Sequence, residues 1–131
     1  MVVAIQHTYG AAVIVFPNGE TVYYNPSSFP NDIPEPEYTL AAQKLVSQWS
    51  DDIAFILDFI IEENQNPASS FYSTLDFTNV GVYGYSTGGA AAIQFCGKDT
   101  RCGAVLAMDP LMVSVSRQIL NTGISQKEGV L

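Results

Sequence analysis

Basic residues are scarce in this sequence: five Lys and Arg stand against thirteen Asp and Glu, which gives a net charge of −8 at pH 7. Such a balance repels phosphate backbones and anionic lipid surfaces, so we expect no nucleic-acid partner. Long apolar runs are missing too. The stretch IAFILDFII at 53–61 has nine residues and contains an acid, which is too short to span a bilayer. The sequence therefore predicts no transmembrane segment.

Histidine occurs once, at His7, and cysteine twice, at Cys96 and Cys102. No histidine or second cysteine pair lies near these cysteines, which argues against a metal site. Five residues separate the two thiols. That spacing suits either a small disulfide loop or two ordinary buried thiols, and the sequence leaves both open.

The N-terminus lacks the basic region and the cleavage site of a signal peptide, so the sequence indicates no secretory leader and leaves the compartment undetermined. An apolar fraction of 47% with 14% charged residues is typical of a globular domain. Both ends break off within apolar runs. We expect residues 1–131 to form one domain that is part of a larger one.

The first quarter of the chain has the pattern of strands and turns. VVAIQ at 2–6 predicts a strand covered on both faces. The segments 11–16 and 20–24 predict a β-hairpin, whose turn takes its positive φ angles from Asn18 and Gly19. The proline-rich segment 25–37 predicts a surface loop.

Apolar residues then recur at spacings of three or four over 39–64, which predicts one long helix or two helices bent near 47–50. A strand at 77–85, a helix at 87–96 and a strand at 103–109 follow. This alternation predicts parallel pairing with right-handed crossovers, and therefore an α/β fold.

The chemistry-bearing motif is G-x-S-x-G, formed by Gly84, Ser86 and Gly88 between the last predicted helix and the strand before it. In that context the chain reverses sharply and presents the serine hydroxyl at the carboxyl edge of the sheet. We expect side chains at both flanking glycines to collide in such a turn. Ser86 is the predicted nucleophile, with the backbone N–H of Thr87 facing a developing oxyanion. A glycine-serine turn without chemistry is the alternative.

A serine nucleophile needs a base oriented by an acid. Asp109 closes the next apolar strand, and in a parallel sheet it should emerge at the same edge as Ser86. It is the predicted triad acid, with helix capping as the alternative, whereas Asp99 belongs to a surface loop. Nothing after Asp109 can serve as the base. We assign His7, with Tyr85, to the rim of the pocket, and the role of general base is the alternative for His7.

These residues resemble a family, the platelet-activating factor acetylhydrolase-like and dienelactone hydrolase-like branch of the α/β hydrolases. GYSTGG at 84–89 is similar to its G-H-S-x-G-G motif, with Tyr85 in place of the usual histidine. VSQWSDDIAFILDFI at 46–60 resembles the helix that precedes that motif. CGKDTRCGAVLAMDP at 96–110 resembles the loop and strand that carry the acid.

The opening VVAIQHTYGAAVIVFPNG resembles the family's fourth strand and the loop after it, although Gln6 departs from the usual acid. The resemblance covers nearly the whole chain, which matches only the middle of the family's domain. It implies a partial α/β-hydrolase fold with a mostly parallel sheet, a hairpin excursion and crossover helices. Ser86, Asp109 and the Thr87 N–H correspond to family positions, and no histidine does.

The resemblance implies a serine esterase or lipase that acts on carboxylic esters, short-acyl or lipid-like, without a metal or organic cofactor. The alternative is an inert fragment that acts as a binding or assembly module, which we expect to form a homodimer through exposed sheet edges. A phosphate-binding loop is disfavoured, because the glycine spacing fits neither phosphate motif.

Overall fold

A computed structural model describes residues 1–29 and 32–124 of the chain. These residues form a mixed α/β structure with two separate two-stranded sheets, one antiparallel and one parallel. The α/β class predicted from the alternation of elements is confirmed. The two sheets do not join into a single mostly parallel sheet among the described residues.

The antiparallel sheet is the predicted hairpin. Strand β1 (Val13–Val15) pairs with β2 (Thr21–Tyr23) in a register that sets Val15 opposite Thr21. Only Gly19 in the connecting turn has a positive φ, of 86°. The expectation of a positive φ at Asn18 was wrong. The Asn18 side chain instead accepts a hydrogen bond from the Glu20 N–H at 3.0 Å, which closes the turn locally.

Helix α1 (Glu37–Gln65) is one continuous helix of 29 residues, which decides between the two predicted alternatives. Its buried apolar residues, Ala42, Leu45, Val46 and Leu57, face the rest of the molecule, whereas Leu40, Phe55 and Phe59 are exposed. The helix ends at Asn66, because the following Pro67 disfavours helical φ and ψ at the residue before it.

The parallel unit comprises β3 (Val80–Tyr85), α2 (Thr87–Cys96) and β4 (Cys102–Met108). Strands β3 and β4 run parallel with Tyr85 opposite Met108. The bounds of α2 are those predicted from the sequence. After β4 the chain makes a 3₁₀ turn (Met112–Ser114) and a short helix α3 (Arg117–Thr122).

Both long helices cover the same face of the β3–β4 pair. Leu57 of α1 and Phe95 of α2 share one buried cluster, which half-buried Val80, Val82 and Val105 of the strands complete. A second cluster joins α1 and α2 to the segment after β4. The opposite face of the pair is exposed, and its apolar side chains are Tyr83, Tyr85, Leu106 and Met108.

The strand predicted at 2–6 does not form among the described residues, so that prediction was wrong. The segment is largely exposed, with Val2 75% and Val3 45% accessible. No neighbouring strand hydrogen-bonds to it, and a strand is defined by that pairing. In the part of the chain that the structure describes, no helix combines the length and apolarity needed to cross a membrane.

Candidate active site

Ser86 is the single residue between β3 and α2, and its backbone is strained. Its φ of 52° and ψ of −118° lie in a region that residues with a side chain rarely adopt. Conformations of this kind cost about 1–3 kcal/mol and concentrate at functional sites. The sharp turn predicted at this serine is present.

Hydrogen bonds from three segments hold the main chain of Ser86. Its N–H donates to the Met108 carbonyl at 2.9 Å, and its own carbonyl accepts from the N–H groups of Ala90 and Leu111 at 3.1 and 3.2 Å. The strained conformation is therefore fixed by β4, by α2 and by the segment after β4. The side chain is only half-buried, so the hydroxyl remains accessible.

The glycine requirement of this turn differs from the sequence expectation. A Cβ on Gly84 would lie 2.8 Å from the Gly89 nitrogen and closer still to the Gly88 carbonyl, so only glycine fits there. A Cβ on Gly88 would meet nothing within 4 Å, and the expected collision at Gly88 was wrong. The second tight position is Gly89, whose Cβ would lie 3.0 Å from the Gly84 carbonyl oxygen and 3.3 Å from Pro110.

Asp109 follows β4 as Ser86 follows β3, so the two residues occupy corresponding positions at one edge of the parallel pair. Asp109 also has a positive φ, of 45°, and is exposed. Its predicted alternative role in capping is not present, because Leu111 is the cap of the next 3₁₀ turn and Ser116 caps α3. Among the described residues no side chain bonds or ion-pairs with the Asp109 carboxylate.

Thr87 begins α2 directly after the serine. No described residue accepts a hydrogen bond from its backbone N–H, which is one of the free donors at a helix N-terminus. The ten-residue helix adds the positive end of its dipole at this point. A partial negative charge that develops beside Ser86 would be stabilised here.

His7 is bound to helix α1. Its Nδ1 lies 2.6 Å from Oδ2 of Asp52, and its ring stacks on that of Trp49 with centroids 4.1 Å apart and an angle of 3° between the planes. The ring of Trp49 also contacts the backbone at Gly10, where a Cβ would lie 2.8 Å from it. The described structure thus pairs His7 with Asp52 and not with Asp109. Sequence reasoning did not find Asp52 or Trp49, because 45 residues separate the hydrogen-bonded pair.

A cavity of about 1130 Å³ lies between the N-terminal segment that carries His7 and strand β3. Residues 1–7 line one side, the edge of β3 from Val80 to Tyr85 lines the other, and α1 forms the floor. His7 and Tyr85 both belong to this lining, whereas the sequence had placed them at a rim. Successive residues of β3 contribute to it, together with Ala104, Val105 and Leu106 of β4 and part of α2.

Cys96 and Cys102 form a disulfide with their Cα atoms 5.1 Å apart. It joins the end of α2 to the start of β4, at the end of the unit opposite Ser86. Within the closed loop, Arg101 donates to both carboxylate oxygens of Asp99, and it also bonds Asp58 of α1. The hydrogen bond from Arg101 holds the pKa of Asp99 below its usual value, and these two carboxylates raise the pKa of Arg101. Asp99 therefore has a structural role.

No group of three or more His, Cys, Asp or Glu side chains that could hold a metal ion is found within residues 1–29 and 32–124. No protein-family model matches the chain, and no significant match is found among curated proteins.

Proposed function

We propose that the chain is the nucleophile-bearing core of a serine hydrolase of carboxylic esters, with an α/β-hydrolase arrangement around Ser86. The observation that carries the proposal is the strained turn at Ser86. A serine with a φ of 52° stands alone between a strand and a helix, with its N–H and carbonyl fully bonded and its hydroxyl accessible. An ordinary glycine-serine turn has no need of that strain.

Each remaining group has a role in this chemistry. Ser86 Oγ attacks the ester carbonyl, the Thr87 N–H stabilises the oxyanion, and a base carries the serine proton to the departing alkoxide. The ester C–O bond breaks, the alcohol leaves, and water then hydrolyses the acyl-serine to release the acid and restore Ser86. Asp109 would orient a histidine base and stabilise its positive charge.

The base has to come from elsewhere than His7, since Asp52 and Trp49 hold that ring. The carboxylate of Asp109 is exposed and pairs with no side chain of the described residues, so a histidine from another segment or another molecule could reach it. Without such a base we expect residues 1–131 to be acylated slowly and to turn over poorly, because removing any triad member eliminates most of the rate.

Labelling with a fluorophosphonate tests the nucleophile directly. We expect stoichiometric labelling of the unaltered chain and none of Ser86→Ala, with Ser73→Ala as the control, since Ser73 is another serine of positive φ. Addition of imidazole should speed p-nitrophenyl acetate hydrolysis by the unaltered chain beyond the background given by Ser86→Ala. Labelling that persists in Ser86→Ala, or no labelling at saturating probe, would reject the proposal.

A second candidate function is assembly through sheet edges, and the exposed apolar side of the β3–β4 pair favours it. The edge of β3 that faces the large cavity pairs with no described strand, and Tyr83 beside it is 60% exposed. Unpaired edges with apolar flanks invite strand addition. The proposed occupant is a second copy of this chain.

Sedimentation velocity on matched variants tests this assembly. Tyr83→Lys places a charge beside the free edge, and Phe55→Lys places one at a comparably exposed site on α1, 68% accessible. We expect a dimer that Tyr83→Lys dissociates and Phe55→Lys leaves intact. A monomer at high concentration, or equal effects of the two variants, would exclude assembly through this edge.

A further inference from the structure

A second, smaller pocket lies apart from the serine, between α1, α2 and the segment that leads into α3. Its volume is about 390 Å³. The lining consists of polar side chains only: Gln43, Ser47, Gln94, Ser114, Ser116 and Arg117. None of them is acidic, although acids outnumber bases by thirteen to five in the chain. The pocket shares no lining residue with the large cavity.

Gln94 is the residue of this pocket whose amide orientation is fixed by a hydrogen bond. Its side chain is 95% buried, with 5% of its surface accessible, and its Oε1 accepts a hydrogen bond from the Ser116 N–H at 3.0 Å. Since an amide nitrogen cannot accept that bond, the amide orientation is fixed and Nε2 is left as a donor. No described residue accepts from Nε2, and it is not among side-chain atoms sealed from solvent without a partner. This donor is therefore not sealed from solvent, and Gln94 belongs to the lining of the pocket.

Two further residues of the lining, Arg117 and Ser47, carry hydrogen-bond donors. The Arg117 guanidinium has no carboxylate within ion-pair distance among the described residues, in contrast to Arg101. The Ser47 hydroxyl is likewise without a described partner. By contrast, the single hydroxyl donor of Ser114 is used by the Leu111 carbonyl, and one of the two amide donors of Gln43 is used by the Val113 carbonyl at 3.3 Å.

We propose that this pocket binds a small oxyanion, a carboxylate or a phosphate group. A cation, an amide donor and a hydroxyl in the lining of one pocket match a ligand with several acceptor oxygens and a negative charge. Gln94 Nε2 is the donor that an oxyanion oxygen would bind in place of water. The site is independent of the hydrolase chemistry, since its residues lie neither beside Ser86 nor at Asp109.

Titration with sodium phosphate and, separately, with sodium acetate tests the proposal and distinguishes the two sources of oxyanion. Binding is followed by calorimetry and by the ¹⁵N signals of the Gln94 amide and the Arg117 guanidinium. We expect saturable shifts of both signals with at least one of the anions. Neither signal moving with either anion would overturn the proposal.

Matched variants separate the pocket from general charge effects. Arg117→Gln removes a charge in the pocket, and Lys98→Gln removes the same charge from an exposed position outside it. We expect Arg117→Gln to weaken binding by at least about tenfold and Lys98→Gln by less than about twofold. Gln94→Glu keeps the acceptor for Ser116 but replaces the donor, and should abolish binding. Equal losses of anion affinity in Arg117→Gln and Lys98→Gln would show that binding depends only on the net charge of the protein. That result would overturn the proposal.

Discussion

Ser86 and Asp109 lie side by side at the carboxyl ends of two hydrogen-bonded parallel strands, each one residue beyond the paired Tyr85 and Met108. The Ser86 N–H donates to the Met108 carbonyl at 2.9 Å. This hydrogen bond therefore joins Ser86 to the residue that directly precedes Asp109. Both have positive φ, 52° and 45°. This is the arrangement that the proposed nucleophile and acid require, and it was expected from the sequence because parallel strands end at a common edge.

The strain at Ser86 should be measurable as a difference in the free energy of unfolding between two variants. Ser86→Gly removes the side chain that makes a φ of 52° unfavourable, whereas Ser86→Ala keeps a Cβ. We expect the glycine variant to be more stable than the alanine variant by about 1 kcal/mol, after the greater chain entropy of unfolded glycine is allowed for. Urea unfolding of the two variants measures the difference. An alanine variant at least as stable as the glycine variant would show that the turn is relaxed.

Alanine should lower the stability of the protein at Gly84 but not at Gly88. At Gly84 the new methyl group overlaps the backbone of Gly88 and Gly89, and we expect a loss of about 1–3 kcal/mol. At Gly88 it meets nothing within 4 Å in a helix, and we expect an unchanged stability or a gain of up to about 1 kcal/mol. Thermal unfolding compares the pair. Similar losses at both positions would contradict the packing described at this turn.

The disulfide between Cys96 and Cys102 should contribute about 2 kcal/mol, since it closes a short loop and restricts the unfolded chain. We expect a reducing agent to lower the unfolding midpoint of the unaltered chain. The double variant Cys96→Ala, Cys102→Ala should have a lower midpoint that the reducing agent does not change. Two free thiols titrated in denaturant without reductant would instead support the alternative of ordinary buried cysteines.

Acid should weaken the contact between Asp99 and Arg101. The hydrogen bond from Arg101 lowers the pKa of Asp99 in the folded state, so the unfolded state binds a proton more readily. The contribution of Asp99 to stability is therefore complete above its unfolded pKa, near 3.8, and is lost as the pH falls through the lower folded value. Asp99→Asn should cost about 1 kcal/mol at pH 7 and less at about pH 3.

Urea unfolding at the two pH values measures the acid effect, and Arg101→Gln provides the control. Because the two residues act through one contact, the double variant should lose less than the sum of the single losses. If the unaltered chain and Asp99→Asn differ in free energy of unfolding by the same amount at both pH values, the lowered pKa of Asp99 in the folded state is contradicted.

Local patterns predicted the elements around the site well. The bounds of α2 follow from a run of small residues that begins after Ser86 and ends before Gly97, and β4 follows from a short apolar run before Asp109. In these stretches the secondary-structure preference of each residue agrees with the element in which it lies, so the local sequence was sufficient to predict the element.

The remaining features depend on contacts between distant residues. An apolar run such as 2–6 becomes a strand only when another strand pairs with it, and no local pattern reports that pairing. The requirement at Gly89 arises partly from Pro110, and the bond from His7 to Asp52 joins two elements that share no motif. These contacts form only after the chain has folded, so a reading of spacing alone misses them.

The stacking of His7 on Trp49 gives the molecule a built-in optical reporter. The chain contains one tryptophan and one histidine, so its indole emission comes from a single ring whose neighbour is known. Detachment of the N-terminal segment from α1 would expose that indole to water and shift its spectrum, even while the disulfide-linked unit around Ser86 stays folded. Fluorescence can thus follow the contact between His7 and Trp49 at the large cavity separately from the chemistry at Ser86.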